Sequence, residues 1–162
     1  MIVVADTSVI LNLCCVGQAG LLPGLFQQVW IPEEVKAEFE RLSRHQPRFQ
    51  GLLMPGWASI RPASPIPAKL AAMPNLHTGE TAALALALES HADAVLMDES
   101  AGRRAAHLLG VPVIGVLGVL MQARKTGLLP AIKPVIERLE ADAGFWLAPG
   151  LVTEALRKCG ET

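Results

Sequence analysis

The chain has 162 residues, 51% of them hydrophobic and 18% charged, with a formal net charge of −1. That length supports one substantial core, and that composition excludes a disordered polypeptide. The near-zero charge argues against a broad surface gripping a nucleic-acid duplex, since such surfaces carry a basic surplus.

The apolar run Ile2-Val3-Val4-Ala5 reads as a short buried strand ending at Asp6. Thr7 and Ser8 are N-cap candidates for a helix through Val9, Ile10, Leu11 and Leu13. Val29-Trp30-Ile31 is a second strand candidate, and Pro32 suits the first turn of a helix over 33–43. That helix carries Val35, Phe39 and Leu42 as an i, i+4, i+7 stripe. Residues 44–74 are proline-rich, with a short strand expected at Trp57–Ile60. Thr78 is the expected cap of an Ala- and Leu-rich helix over 79–91.

A strand ending at Asp98 follows, then a helix near 101–109 and a strand at 111–114. Two helices are expected at 116–125 and 130–142. Phe145–Leu147 reads as a last strand, before a terminal helix with Leu151, Val152, Ala155, Leu156 and Cys159 on one stripe. If not covered within the monomer, that stripe is a candidate contact surface. Strands alternating with helices define an α/β fold, a mainly parallel sheet covered on both faces. Residues 1–162 are expected to form a single domain, with 145–162 as a strand and helix extension.

No uncharged apolar stretch is long enough for a membrane span. No basic leader precedes the first apolar run, so a cytoplasmic location is expected. Cys14 and Cys15 are adjacent and Cys159 stands alone, spacing that suits neither a disulfide nor zinc. Cys14 and Cys15 read as small core hydrophobes.

Asp6 and Asp98 leave the carboxyl ends of two predicted strands, where open parallel sheets place their ligand sites. They can meet at one rim although 92 positions separate them. On the 33–43 helix Glu38 borders the buried stripe, Glu33 and Glu40 point away, and Glu34 is intermediate. Glu80 shares a face with Leu84, Ala87 and Leu88 in the first turn of its helix. Each acid also has a structural role open to it. Asp6 and Asp98 can cap the helices after them, Glu80 can stabilise a helix dipole, and Glu38 can be an ordinary solvated acid.

Four acids meeting at one point repel by about 4 kcal/mol per close pair at ~4 Å and an effective dielectric near 20. Such a cluster persists only with protons or cations among the carboxylates. Oxygen donors without nearby His or Cys favour Mg²⁺ or Mn²⁺ over Zn²⁺. Metal-assisted phosphodiester hydrolysis is the chemistry such a cluster suits. A phosphatase using Asp6 as nucleophile would expect a second Asp two residues on, where Ser8 stands.

The segments VVADTSVILNL, IPEEVKAEFERL, LHTGETAALALALESHADAVLMDESAGRRAAHLLGVPVIG and VLGVLMQARKTGLL, in this order, resemble a PIN domain of the VapC-like ribonuclease-toxin kind. More narrowly they resemble the branch with a Gly-Glu pair in place of the usual third-acid aspartate. The resemblance implies a three-layer α/β/α fold and a Mg²⁺- or Mn²⁺-dependent endoribonuclease. It makes Asp6, Glu38, Glu80 and Asp98 the first to fourth catalytic metal ligands. It also implies the toxin of a toxin–antitoxin pair, with RNA as substrate, an antitoxin protein as partner, no membrane, and a homodimer. Ser8 and Arg103 are the candidate substrate contacts. Two features depart from the pattern: Glu80 is one methylene longer than aspartate, and the stretch 44–74 is long. A PIN-like fold that has lost catalysis and works through protein contacts is the alternative.

Overall fold

The computed structural model describes residues 1–162. Five strands, β1 (Ile2–Ala5), β2 (Gln28–Pro32), β3 (Ser59–Arg61), β4 (Ala94–Leu96) and β5 (Val113–Ile114), form one sheet in the order β3-β2-β1-β4-β5. Every pairing is parallel, with Val3 beside Val29 on one side of β1 and Val4 beside Val95 on the other. Nine helices cover it: α1 (Thr7–Cys15), α2 (Leu21–Leu25), α3 (Glu33–His45), α4 (Ala68–Ala71), α5 (Thr78–Ser90), α6 (Ser100–Leu108), α7 (Val116–Lys125), α8 (Lys133–Ala141) and α9 (Pro149–Lys158). The architecture is the three-layer α/β/α arrangement with a parallel sheet.

Alternation along the strands sorts side chains into two cores. Val3, Ala5, Ala94 and Leu96 join the larger one with Val9, Ile10, Leu13, Phe39, Val116, Val119 and Leu120. Val4, Val95 and Met97 face the smaller one with Ala83, Leu84, Ala87 and Ala106. α5 is buried along most of its length, which its Ala- and Leu-rich sequence allows on every side. Successive crossovers run outward from β1 through β2 to β3, then restart at β4 on its other side. The point where that order reverses lies between β1 and β4, where parallel sheets open a crevice at the strands' carboxyl ends.

Several boundaries differ from expectation. Pro32 closes β2 and takes the N-cap position of α3 rather than its first turn. The helices expected at 79–91 and 130–142 run over Thr78–Ser90 and Lys133–Ala141, and Thr78 lies inside α5, with His77 at the N-cap. The third strand begins at Ser59, and Phe145–Leu147 is not a strand. The Phe145 N–H is donated to the Leu139 carbonyl at the end of α8 (2.9 Å), so it has no strand to pair with. The Arg48 guanidinium donates to the Ala143 carbonyl and closes over Gly144, whose φ of +64° turns the chain. The terminal-helix stripe is largely covered: Ala155 is buried and Val152, Leu156 and Cys159 pack on the large core, while Leu151 stays exposed. All three cysteines are free thiols, and burial pushes Cys14 up to about 11, which keeps it unreactive. No helix is long and apolar enough to cross a membrane.

Candidate active site

At the reversal point Asp6 occupies the N-cap position of α1 but makes no capping bond with its side chain. Its backbone N–H is donated to the Leu96 carbonyl (3.0 Å), locking the end of β1 to β4. Glu38 reaches in from α3, half-buried, and accepts a hydrogen bond from Thr7 Oγ1 at 3.2 Å. Glu33 and Glu40 are exposed on the far side of that helix, as helical facing predicts. Glu80 is buried in the first turn of α5 and accepts the His77 backbone N–H at 3.2 Å, the return half of a capping box. Its structural role as a helix-starting acid is therefore real, and one carboxylate oxygen remains outside that bond.

Asp98 goes elsewhere. Both its oxygens accept the Val116 N–H, at 3.2 and 3.1 Å, so it caps α7 rather than the helix that follows it in sequence. A Cβ on Gly115 would stand 2.5 Å from Asp98 Oδ1 and 2.8 Å from Arg103 Nη1, so only glycine admits this approach. The acid that completes the cluster is Glu99, which sequence reasoning had not singled out. A polar cavity of about 150 Å³ is lined by Asp6, Thr7, Ser8, Glu38, His77, Glu80 and Glu99, without Asp98.

Pleat alternation contained the signal. Asp6 has the parity of Val4, which faces α5; Glu99 has the parity of Val95 and Met97 on that same face. Asp98 shares parity with Leu96, on the face covered by α7. Arg103 is exposed and donates from Nη1 to the Met97 carbonyl at 3.2 Å, which holds it beside Asp98.

Electrostatics agree with this grouping. Burial pushes Asp6 up to about 7; the Thr7 N–H offsets part of the rise, and Glu80, Glu38 and Glu99 add to it. Glu80 is also raised, first by burial, against the His77 N–H and imidazole, with Glu99 and Glu38 contributing. Asp98 is raised by burial, opposed by the Val116 N–H and Arg103.

Gly79 makes the cluster possible. A Cβ there would lie 2.6 Å from Glu38 Oε2, 3.3 Å from Thr7 Oγ1 and 3.4 Å from Asp6 Oδ1. The bare backbone lets the amino-terminal turn of α5 press against these carboxylates, where its positive dipole end opposes their charge.

The donor set fits a hard divalent cation. Six of the seven lining residues offer oxygens, with the His77 imidazole the one nitrogen donor; Asp6 is buried beside three other acids, and Ser8 Oγ is buried without a hydrogen-bond partner. No three His, Cys, Asp or Glu side chains form a ready-made set of direct ligands.

A three-layer parallel fold gathers these acids at the β1–β4 crevice, the place where such sheets bind their ligands. The match to a PIN-domain family (DUF3368) over residues 2–161 makes the assignment specific: the chain belongs to the PIN-domain family. PIN domains are generally nucleases that use divalent metal ions. No curated protein and no solved structure matches the chain.

Proposed function

We propose that this chain is a Mg²⁺- or Mn²⁺-dependent endoribonuclease whose acids are Asp6, Glu38, Glu80 and Glu99, with Asp98 at the rim. One observation carries the reading: four carboxylates line one small polar cavity, and burial beside the other three lifts Asp6 to about 7. A bound divalent ion supplies charge neutralisation at the phosphodiester and a more acidic water. Asp6 and Glu80 contribute charge from the buried floor, and Glu38 and Glu99 from the walls. Thr7 orients Glu38 through its hydroxyl, and Ser8 Oγ offers a free donor to a phosphate oxygen or a water.

The test is cleavage of single-stranded RNA by purified protein with Mn²⁺. Asp6→Asn and Glu80→Gln should each lower the rate by at least about a hundredfold, the scale of losing an electrostatic group at a reacting centre. Cleavage by Asp6→Asn at the parent rate would assign the activity to a contaminant.

The reading extends to the toxin of a toxin–antitoxin pair acting in the cytoplasm as a homodimer. Its antitoxin is then a small protein whose tail brings a basic or aromatic group to the acidic cleft. A short open reading frame immediately upstream supports this, and sedimentation of the purified chain reads the dimer. A second reading is a PIN fold without catalysis that works through protein contacts. It is favoured by the lack of a ready-made ligand triplet and by the tie between Glu80 and the His77 N–H. An intact fold with no Mn²⁺ affinity by calorimetry selects it.

A further inference from the structure

The acid cavity does not stand alone. Glu99 also lines a cleft of about 740 Å³ that continues past Arg103, Ile114 and Met121 to Trp146 and Leu151. On its other side, Glu38 and His77 also line a polar groove of about 380 Å³ that includes Arg41 and Thr78. The acid cavity shares Glu99 with the first and Glu38 and His77 with the second, so both depressions adjoin it. Arginines flank it on both sides, and one arm has an apolar floor.

Trp146, which lines that cleft, is 71% exposed. It is not on a loose tail. Ala143 and Leu147 on either side are buried, the Phe145 N–H is tied to α8, and Arg48 holds the Ala143 carbonyl. A fixed loop thus presents an indole to solvent in a cleft that Glu99 also lines. An indole held this way offers a flat apolar face at little cost in ordering.

Resting on the nuclease reading, we propose that Trp146 is a substrate-binding residue on which an unpaired base of single-stranded RNA stacks while the flanking backbone passes Arg103. Base stacking on an aromatic face is sequence-tolerant, and Arg103 in the same cleft supplies a cation for the backbone. A base inside a duplex offers no free face to Trp146, so the contact selects single strands.

The experiment uses the full chain carrying Glu80→Gln, with Mn²⁺ and a labelled eight-nucleotide oligouridylate, read by fluorescence anisotropy. Trp146→Ala should weaken binding by about 5- to 100-fold and Trp146→Phe by less than about threefold. In the cleaving protein, Trp146→Ala should raise KM by a similar factor with little change in kcat, and cleavage of a duplex should not depend on residue 146.

Equal affinity of the parent and Trp146→Ala proteins, with the parent still cleaving, overturns the role of Trp146 and leaves the nuclease reading standing. Conversion of a dimer to a monomer by Trp146→Ala without loss of RNA affinity assigns the surface to a second copy instead. Failure of the parent to bind or cleave RNA removes the nuclease reading and this inference together.

Discussion

Glu38 Oε2 lies 2.6 Å from the point where a Cβ on Gly79 would stand, so two helices touch through a carboxylate and a bare backbone. In most helical positions Gly→Ala stabilises by about 0.5–1 kcal/mol. Here Gly79→Ala should leave thermal stability near or slightly above that of the parent, because the flexible end of Glu38 can move aside. It should lower RNA cleavage by about tenfold or more, because Glu38 then leaves its place beside Asp6 and Thr7. A melting curve and a rate on the same sample check both halves, and an unchanged rate would show that Glu38 does not need that position.

Asp6 gives a pH dependence whose sign follows from its shift. The unfolded carboxyl titrates near 3.8 and the folded one near 7. Between those values the unfolded chain releases a proton that the folded chain keeps, so metal-free stability falls as pH rises from about 4 to about 7 and then levels. The loss attributable to Asp6 is on the order of 2–4 kcal/mol. Glu80 and Asp98 are raised too and act in the same direction. Denaturant melts at pH 5 and pH 8 should show the fall, and Asp6→Asn should reduce it.

Cation binding cancels the Asp6 part of that slope. An ion bound to Asp6 requires the ionised carboxylate, so each ion taken up below pH 7 displaces a proton. Mn²⁺ affinity should rise by up to about tenfold per pH unit until pH 7 and flatten above it. Calorimetry in two buffers of different ionisation enthalpy measures the released proton directly.

Asp98 and Glu99 are adjacent in sequence and separate in role. Asp98→Ala should cost about 1 kcal/mol through the lost cap on α7, while Asp98→Asn should retain most of it. Glu99→Gln should leave stability nearly unchanged and weaken Mn²⁺ binding by about tenfold. Stronger loss of metal affinity in Asp98→Asn than in Glu99→Gln would return Asp98 to the place its strand-end position first suggested.

Thr7→Val keeps the volume and removes the donor to Glu38. The expected outcome is a folded protein cleaving about three- to tenfold more slowly, with Thr7→Ser restoring the rate. No effect of either change would make that hydrogen bond incidental.

Much of this molecule is legible in its sequence. Continuous apolar runs ending in acids mark β1 and β4, and the α3 stripe picks Glu38 out of four neighbouring glutamates. Glu80 is readable from its place in the first turn of an alanine-rich helix. Phe145–Leu147 misleads because its composition suits a strand, while strand formation depends on a partner with free backbone groups. The choice between Asp98 and Glu99 needs both the parity of the strand and the landing point of α7, and Val116 is 18 positions away. Gly115 and Gly79 are unremarkable as letters; their function lies in the carboxylates that come to rest against them.

The pairing of β4 against β1 has a consequence for when the site comes into being. Asp6 and Glu38 belong to the first quarter of the chain, Glu80 follows on α5, and Glu99 takes its place only when β4 pairs with β1, Val95 beside Val4. A nascent chain that has emerged through α3 holds half the acids in a cleft with one wall missing. The acid cluster is therefore complete only after residue 99 has joined the fold.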